Sequence, residues 1–195
     1  DSFYSGVSEG VVSSDRIINM LCVLNDELAI EQKGIYSIEK FIVARRLMYW
    51  QVYLHKTVLA AESVLVKILK RAKVLAHQGV DLFATPDFKL FLYNDYYQKD
   101  FTNDAVLESF SRLDDYDIFT SIKVWCSHDD FVLSELSKSL INRRLPKIKL
   151  NKEASSLQEV EVLQEKVAKE YGITKEEAEY FVFASTITNN AYSSG

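Results

Sequence analysis

The run from Ser37 to His77 contains neither Pro nor Gly, and this constrains the chain more than any other feature. Its apolar residues recur at helical spacing: Ile38, Phe41, Ile42, Leu47, Tyr49, Trp50, Tyr53 and Leu54, then Val58, Leu59, Val64, Leu65, Ile68 and Leu69. That period is the signature of a helix with one face buried. The run is several times longer than the average helix of about 11–12 residues. It therefore predicts one very long helix, or two with a bend near Lys56 and Thr57, starting by Ser37 and stopping at Gly79.

Elements on either side are shorter. Residues 1–12 read as a Gly- and Ser-rich loop, followed by a short helix over about Asp15 to Met20 capped by Ser13 or Ser14. LCVLN and ELAIEQK, joined at Asn25-Asp26, read as a β-hairpin. After Gly79, Pro86 can open a helix at its first turn. Asn103 or Asp104, Asp114 or Asp115, and Asp129 or Asp130 can cap the next three, with acidic residues at the positive end of each helix dipole. From Pro146 onward the pattern becomes strand (LPKIKLNK), two helices, and strand (FVFASTITNNAY). The expected fold is thus mainly α: a helical bundle around one very long or bent helix, with a small hairpin and a C-terminal α+β piece. The expected division is a helical part over 1–145 and a small, incomplete α+β subdomain over 146–195.

Composition narrows the class. With 48% apolar residues, 26% charged residues, 11 Phe and 11 Tyr, the chain has enough to bury and is not disordered in its body. No apolar stretch approaches the roughly 20 residues of a membrane helix, and the start DSFYSGVSEG does not resemble a signal peptide. A soluble, cytoplasmic protein is expected, with no membrane partner. Cys22 and Cys126 both sit in apolar stretches, which predicts two buried free thiols. Asp1 reads as a residue from the middle of a longer protein.

Few motifs carry chemistry. There is no Gly-rich phosphate loop, CxxC, HExxH or GxSxG. His128-Asp129 invites a metal reading, but no Asp follows Asp130, and capping of a helix by Asp129 or Asp130 is the stronger explanation. The informative stretch is ARRLMYWQVYLHK, residues 44–56. At about 100° per residue, Arg45, Tyr49, Tyr53 and Lys56 fall within a sector of about 80°. Arg forks onto phosphate, Tyr abuts a sugar or base, and Lys adds a point charge. On periodicity alone, however, aromatics in a core with cations reaching water remains the better reading.

The segment IYSIEKFIVARRLMYWQVYLHKTVLAAESVLVKILKRA resembles the long helical segment of HD-domain phosphohydrolases related to deoxynucleoside triphosphate triphosphohydrolases. ARxxMYxxVYxHK is the most specific part. DSFYSGVSEGVVSSDRII, LDDYDIFTSIKVW and SLINRRLPK are similar to other family segments, so the resemblance covers roughly residues 1–150. It implies hydrolysis of a deoxynucleoside triphosphate to deoxynucleoside and tripolyphosphate. Asp1 would bond the sugar 3′-hydroxyl, Arg45 would hold the triphosphate, and Tyr53 would pack on the sugar and disfavour a 2′-hydroxyl. Tyr49 shares their stripe. Leu54 stands where several relatives carry Gln near the base. Arg16, His55 and Lys56 match positions near a regulatory nucleotide site. The family's metal ligands, His, His-Asp and a later Asp, would all precede Asp1. A divalent metal (Mg, Mn, Fe or similar) would be held there, leaving no catalytic or metal-binding residue in this chain. A homo-oligomer is the family's habit.

Two rivals stand beside that reading. One is a nucleotide-sensing oligomerisation module without turnover. The other is single-strand nucleic-acid binding through Lys67, Lys70, Arg71 and Lys73, or through the run from Arg143 to Lys152. The formal charge of −5 makes nucleic acid the less favoured partner.

Overall fold

The computed structural model of the chain describes residues 2–151 and 156–186. Among the described residues, 2–59 form one compact unit and 60–186 another. In the first, α1 (Ser2–Ser5) and a 3₁₀ turn (Ser8–Gly10) precede α2 (Ser14–Ile18). Strands β1 (Leu21–Leu24) and β2 (Glu27–Ile30) pair antiparallel, with Leu21 opposite Ile30 and Leu24 opposite Glu27. Asn25 and Asp26 both take positive φ (53° and 62°), the left-handed pair that closes a two-residue hairpin with the twist of its strands. Gly34 then approaches Ile30 and Met20 so closely that a Cβ there would lie 2.9 Å from Ile30.

The long Pro- and Gly-free run is not one helix. It forms α3 (Ile35–Met48), a π-helical turn (Tyr49–Tyr53) and α4 (Lys56–His77), interrupted at Leu54 and His55. The break falls slightly before the bend expected at Lys56 and Thr57. The Leu54 amide donates to the Tyr49 carbonyl at 2.8 Å, the i→i+5 bond that defines the π-turn. His55 then serves α4 as a cap: its carbonyl accepts from Leu59 at 3.0 Å and its Nδ1 from the Thr57 amide at 3.3 Å. Gly79, at φ 85°, ends α4.

In the second unit, α5 (Pro86–Tyr93), α6 (Asp104–Ser111), α7 (Asp115–Trp125) and α8 (Phe131–Ile141) follow. Each starts where its sequence predicts: Pro86 lies in the first turn of α5, and Asn103, Asp114 and Asp130 accept backbone amides at the starts of α6, α7 and α8. Val64, Ile68, Ala72, Leu75 and Ala76 of α4 bury against Leu82, Phe88, Leu92, Ile122, Trp125, Val132, Leu133 and Leu136. Each large side chain here contributes about 1.5–3 kcal/mol by leaving water. Two aromatic polar groups inside are bonded as well: Trp125 Nε1 donates to the Phe83 carbonyl at 3.0 Å. The Tyr93 hydroxyl accepts from Leu82 at 2.6 Å and donates to the Val80 carbonyl at 2.9 Å.

The fold is mainly helical with one small hairpin, as expected, but its tail differs. α9 (Leu157–Tyr171) and α10 (Lys175–Ala178) form, capped by Ser156 and Thr174. The expected flanking strands do not: residues 146–151 and 181–186 carry no strand, and residues 152 and 187–192 of those expectations lie outside the described residues. A strand needs a ladder partner, and the two-stranded hairpin is the sheet among the described residues. One tail carbonyl, that of Val182, accepts instead from Gln164 Nε2 at 3.0 Å. Cys22 also departs from expectation. Both cysteines are free thiols, but Cys22 is exposed on the hairpin, because all four β1 residues face solvent. Cys126 is half-buried, and burial pushes its thiol pKa up.

Candidate functional site

Within the first unit, α3 and the π-turn wall a cavity of about 520 Å³. Gly10 and Val12 line one side, and Phe41, Ala44, Arg45, Met48, Tyr49 and Tyr53 the other. Ala44 and Met48 are buried and give the apolar floor. The Arg45 guanidinium lies 5.8 Å from the centre of the Tyr49 ring, within cation–π range. Tyr49 and Tyr53 are tilted against each other, with ring centres 5.1 Å apart. A charged fork beside two phenols over an apolar floor can hold an anion at one end and a flat or ring-shaped group at the other.

Three of the residues expected at a site, Arg45, Tyr49 and Tyr53, therefore meet in one cavity. The others do not. Leu54 is half-buried outside its lining, and His55 and Lys56 are exposed where the helix breaks and restarts. The π-turn explains why the stripe ends at Tyr53. Its additional residue withdraws about 100° of rotation, so spacing counted along an unbroken α-helix no longer applies to Lys56. Arg16 donates from Nε to Ser37 Oγ at 3.2 Å, away from the lining. Asp1 lies outside the described residues. Sequence reasoning missed Phe41, Ala44 and Met48 as lining residues. Their positions four and one before Arg45 and three after it were the available signal.

A second cavity, of about 390 Å³, lies in the other unit between Lys67, Lys70, Arg71 and Val74 of α4 and Glu176, Glu177, Glu179 and Tyr180. Three of the four α4 cations named for nucleic acid, Lys67, Arg71 and Lys73, are engaged internally. Arg71 bonds Asp130 through Nε at 3.0 Å and through Nη2, and reaches Glu177 at 3.2 Å. Lys73 pairs with Asp95 at 2.8 Å and donates to the Phe91 and Asn94 carbonyls. Lys67 donates to the Glu179 carbonyl at 2.9 Å, and burial lowers its pKa.

His128-Asp129 resolves as part of a helix start. Asp130, not Asp129, accepts the Leu133 amide at 2.8 Å, while His128 Nδ1 accepts the Asp130 amide at 2.9 Å. Among the described residues, no three His, Cys, Asp or Glu side chains converge where they could hold a metal ion. No described helix is long and apolar enough to cross a membrane.

Comparison with known proteins adds to this geometry. Residues 12–88 match the family described as the HD associated region. The crystal structure of a phosphohydrolase from Bacteroides thetaiotaomicron is similar over 92% of this chain and 45% of its own, at 52% identity and a TM-score of 0.88. The uncharacterized protein YwfO of Bacillus subtilis is 33% identical over 145 residues, which are 74% of this chain and 32% of YwfO. An uncharacterized protein of Mycoplasma genitalium is 30% identical over 155 residues, 73% of this chain and 35% of its own length. The chain thus spans about a third of the curated relatives it matches and under half of the matched phosphohydrolase.

Proposed function

Because the chain carries an HD-associated region and resembles nearly half of a phosphohydrolase, which supports a place in the HD phosphohydrolase family, we propose that it is the substrate-side segment of a deoxynucleoside triphosphate triphosphohydrolase. The observation that carries this reading is the convergence of Arg45, Tyr49 and Tyr53 on one cavity. The Arg45 guanidinium bonds phosphate oxygens and stabilises the negative charge that grows there during cleavage. The Tyr49 ring backs it, and Tyr53 packs on the sugar, so the scissile phosphate is presented in a fixed orientation.

The described residues do not fit a metal. In this proposal the divalent ion (Mg, Mn or Fe) is held by a part of the protein outside this chain, and the steps assigned to this chain are those of its own side chains. Asp1 is assigned the bond to the 3′-hydroxyl. Arg16, His55 and Lys56, which lie away from the cavity, remain the proposed contacts of an activator nucleotide in a cytoplasmic homo-oligomer.

The test is tripolyphosphate release from a panel of nucleoside triphosphates by the full-length protein with Mg²⁺ or Mn²⁺, beside its Arg45→Ala variant. Release that collapses in the variant supports the reading. Release of orthophosphate or pyrophosphate instead, or release indifferent to Arg45, rejects it.

A further inference from the structure

β1 is an edge strand without the features that usually guard one. Among the described residues the sheet has two strands, so the side of β1 away from β2 has no strand beside it. Natural edges are blunted by charges, Pro or a bulge, which stop another strand from adding on. Leu21-Cys22-Val23-Leu24 has no charge and no Pro, and its register with β2 runs unbroken. All four residues are exposed, Val23 at 70% and Leu24 at 64%. Backbone groups alternate between the two sides of an antiparallel strand. The Met20 carbonyl accepts from the Glu31 amide at 3.0 Å, on the β2 side. Cys22 and Leu24 therefore turn their backbone groups to β2, while Leu21 and Val23 present amide and carbonyl to the open side.

We propose that the open edge of β1 is an interface that takes the β1 strand of a second copy, antiparallel about a two-fold axis at Cys22. A backbone edge is complementary to itself under that symmetry. One register pairs every outward group: Leu21 exchanges both backbone bonds with the partner's Val23, and Val23 with the partner's Leu21. Cys22 then faces the partner's Cys22 at a position without backbone bonds, where Cα atoms lie about 4.5 Å apart. The side chains agree with this register. Leu28 stands opposite Val23 in the hairpin, so Leu28, Val23 and the partner's Leu21 form one apolar row, and pairing covers side chains that are 73%, 70% and 40% exposed. Charge selects β1 over β2. Two β2 strands paired through Leu28 and Ile30 would set Glu27 against the partner's Glu31 twice, with an exposed Lys33 beside Glu31 as the offset. No charge opposes another across β1. The same lack of charge favours a second β1 over an acidic or basic peptide as the occupant. This pairing is independent of the activity proposed above, and its test reads association rather than turnover.

The test is thiol cross-linking of the full-length protein with copper phenanthroline, the linked peptides being identified by mass spectrometry. A disulfide between Cys22 of two copies is expected, because about 4.5 Å between Cα atoms lies within the span that a disulfide bridges. In Cys22→Ser/Val23→Cys the two new thiols stand two residues out of register, roughly 8 Å apart between Cα atoms and beyond that span. Linking at position 23 is therefore expected to be at least about tenfold slower than at position 22. Equal rates at the two positions, or no link at Cys22, overturn the proposal. Val23→Lys places a charge on the edge at an exposed position. It is expected to keep the far-ultraviolet circular dichroism of the wild type and to raise the dissociation constant for self-association about tenfold or more, read by sedimentation. Self-association as tight as that of the wild type overturns the proposal.

Discussion

The two units of this chain are built on opposite terms. In residues 60–186, α4 lays Val64, Ile68, Ala72 and Leu75 into a core that includes a Trp at 1% exposure, and charged side chains reach carboxylates or carbonyls nearby. In residues 1–59, Val23, Leu24 and Leu28 of the hairpin and Tyr36, Val43 and Trp50 of α3 and its π-turn are all more than half exposed. The same long stretch of sequence supplies both units, but only α4 segregates its apolar residues onto one face, whereas α3 spreads them round the helix. The segregated face is buried against α5, α7 and α8; the helix without one keeps much of its apolar surface exposed.

That contrast can be broken by substitution. The largest effect is expected at Trp125→Ala, which removes the most voluminous buried side chain and orphans the Phe83 carbonyl. A loss of about 3–5 kcal/mol is expected by denaturant titration, and a loss under about 1 kcal/mol would show that the core is less closed than it looks. In the first unit the corresponding change is functional. Arg45→Ala should cost under about 1 kcal/mol of stability, the order of one exposed cation–π contact, and lower kcat/KM of the full-length protein about 100-fold.

Helix starts come next. Asp114→Ala removes a capping box in which Asp114 and Asp117 each satisfy the other's backbone amide, and should cost about 1 kcal/mol. Acid sharpens the same contrast. Burial pushes the Asp130 carboxyl up, but the Arg71 hydrogen bonds and charge, with the Leu133 amide, outweigh it and hold its pKa below the ordinary value. Stabilisation from this group is thus complete above about pH 5 and is lost as pH falls through the depressed folded value, below about 4. An acid titration followed by near-ultraviolet circular dichroism should show that loss in the wild type and not in Asp130→Asn. The smallest effect belongs to Val23→Ala on the open hairpin: under about 0.5 kcal/mol in this chain. A larger loss would mean that the hairpin is covered in solution.

Much of this was legible in the sequence for local reasons. Asn25-Asp26 dictated the hairpin turn, and Pro86, Asn103, Asp114 and Asp130 marked helix starts, because turn and cap chemistry depends on neighbours a few residues away. What depended on distant partners was not legible. Cys22 lies in an apolar run yet faces solvent, and the strands expected around 146–151 and 181–186 found no neighbour to pair with. The π-turn is a third case: no Gly or Pro announces it, and Arg45, Tyr49 and Tyr53 line one cavity while Lys56, on the same stripe of an unbroken helix, stands outside its lining.

The placement of the two tryptophans has a practical consequence. Trp125 is sealed in the core at 1% exposure with its indole N–H bonded to a carbonyl, whereas Trp50 stands 56% exposed in the turn that walls the first cavity. Each unit thereby contains its own fluorophore, and the two should emit at separable wavelengths with unequal access to acrylamide. With Trp50→Phe the remaining emission follows the core alone; with Trp125→Phe it reports the cavity wall, so one cuvette can distinguish a ligand settling beside Tyr53 from a change in the fold beneath it.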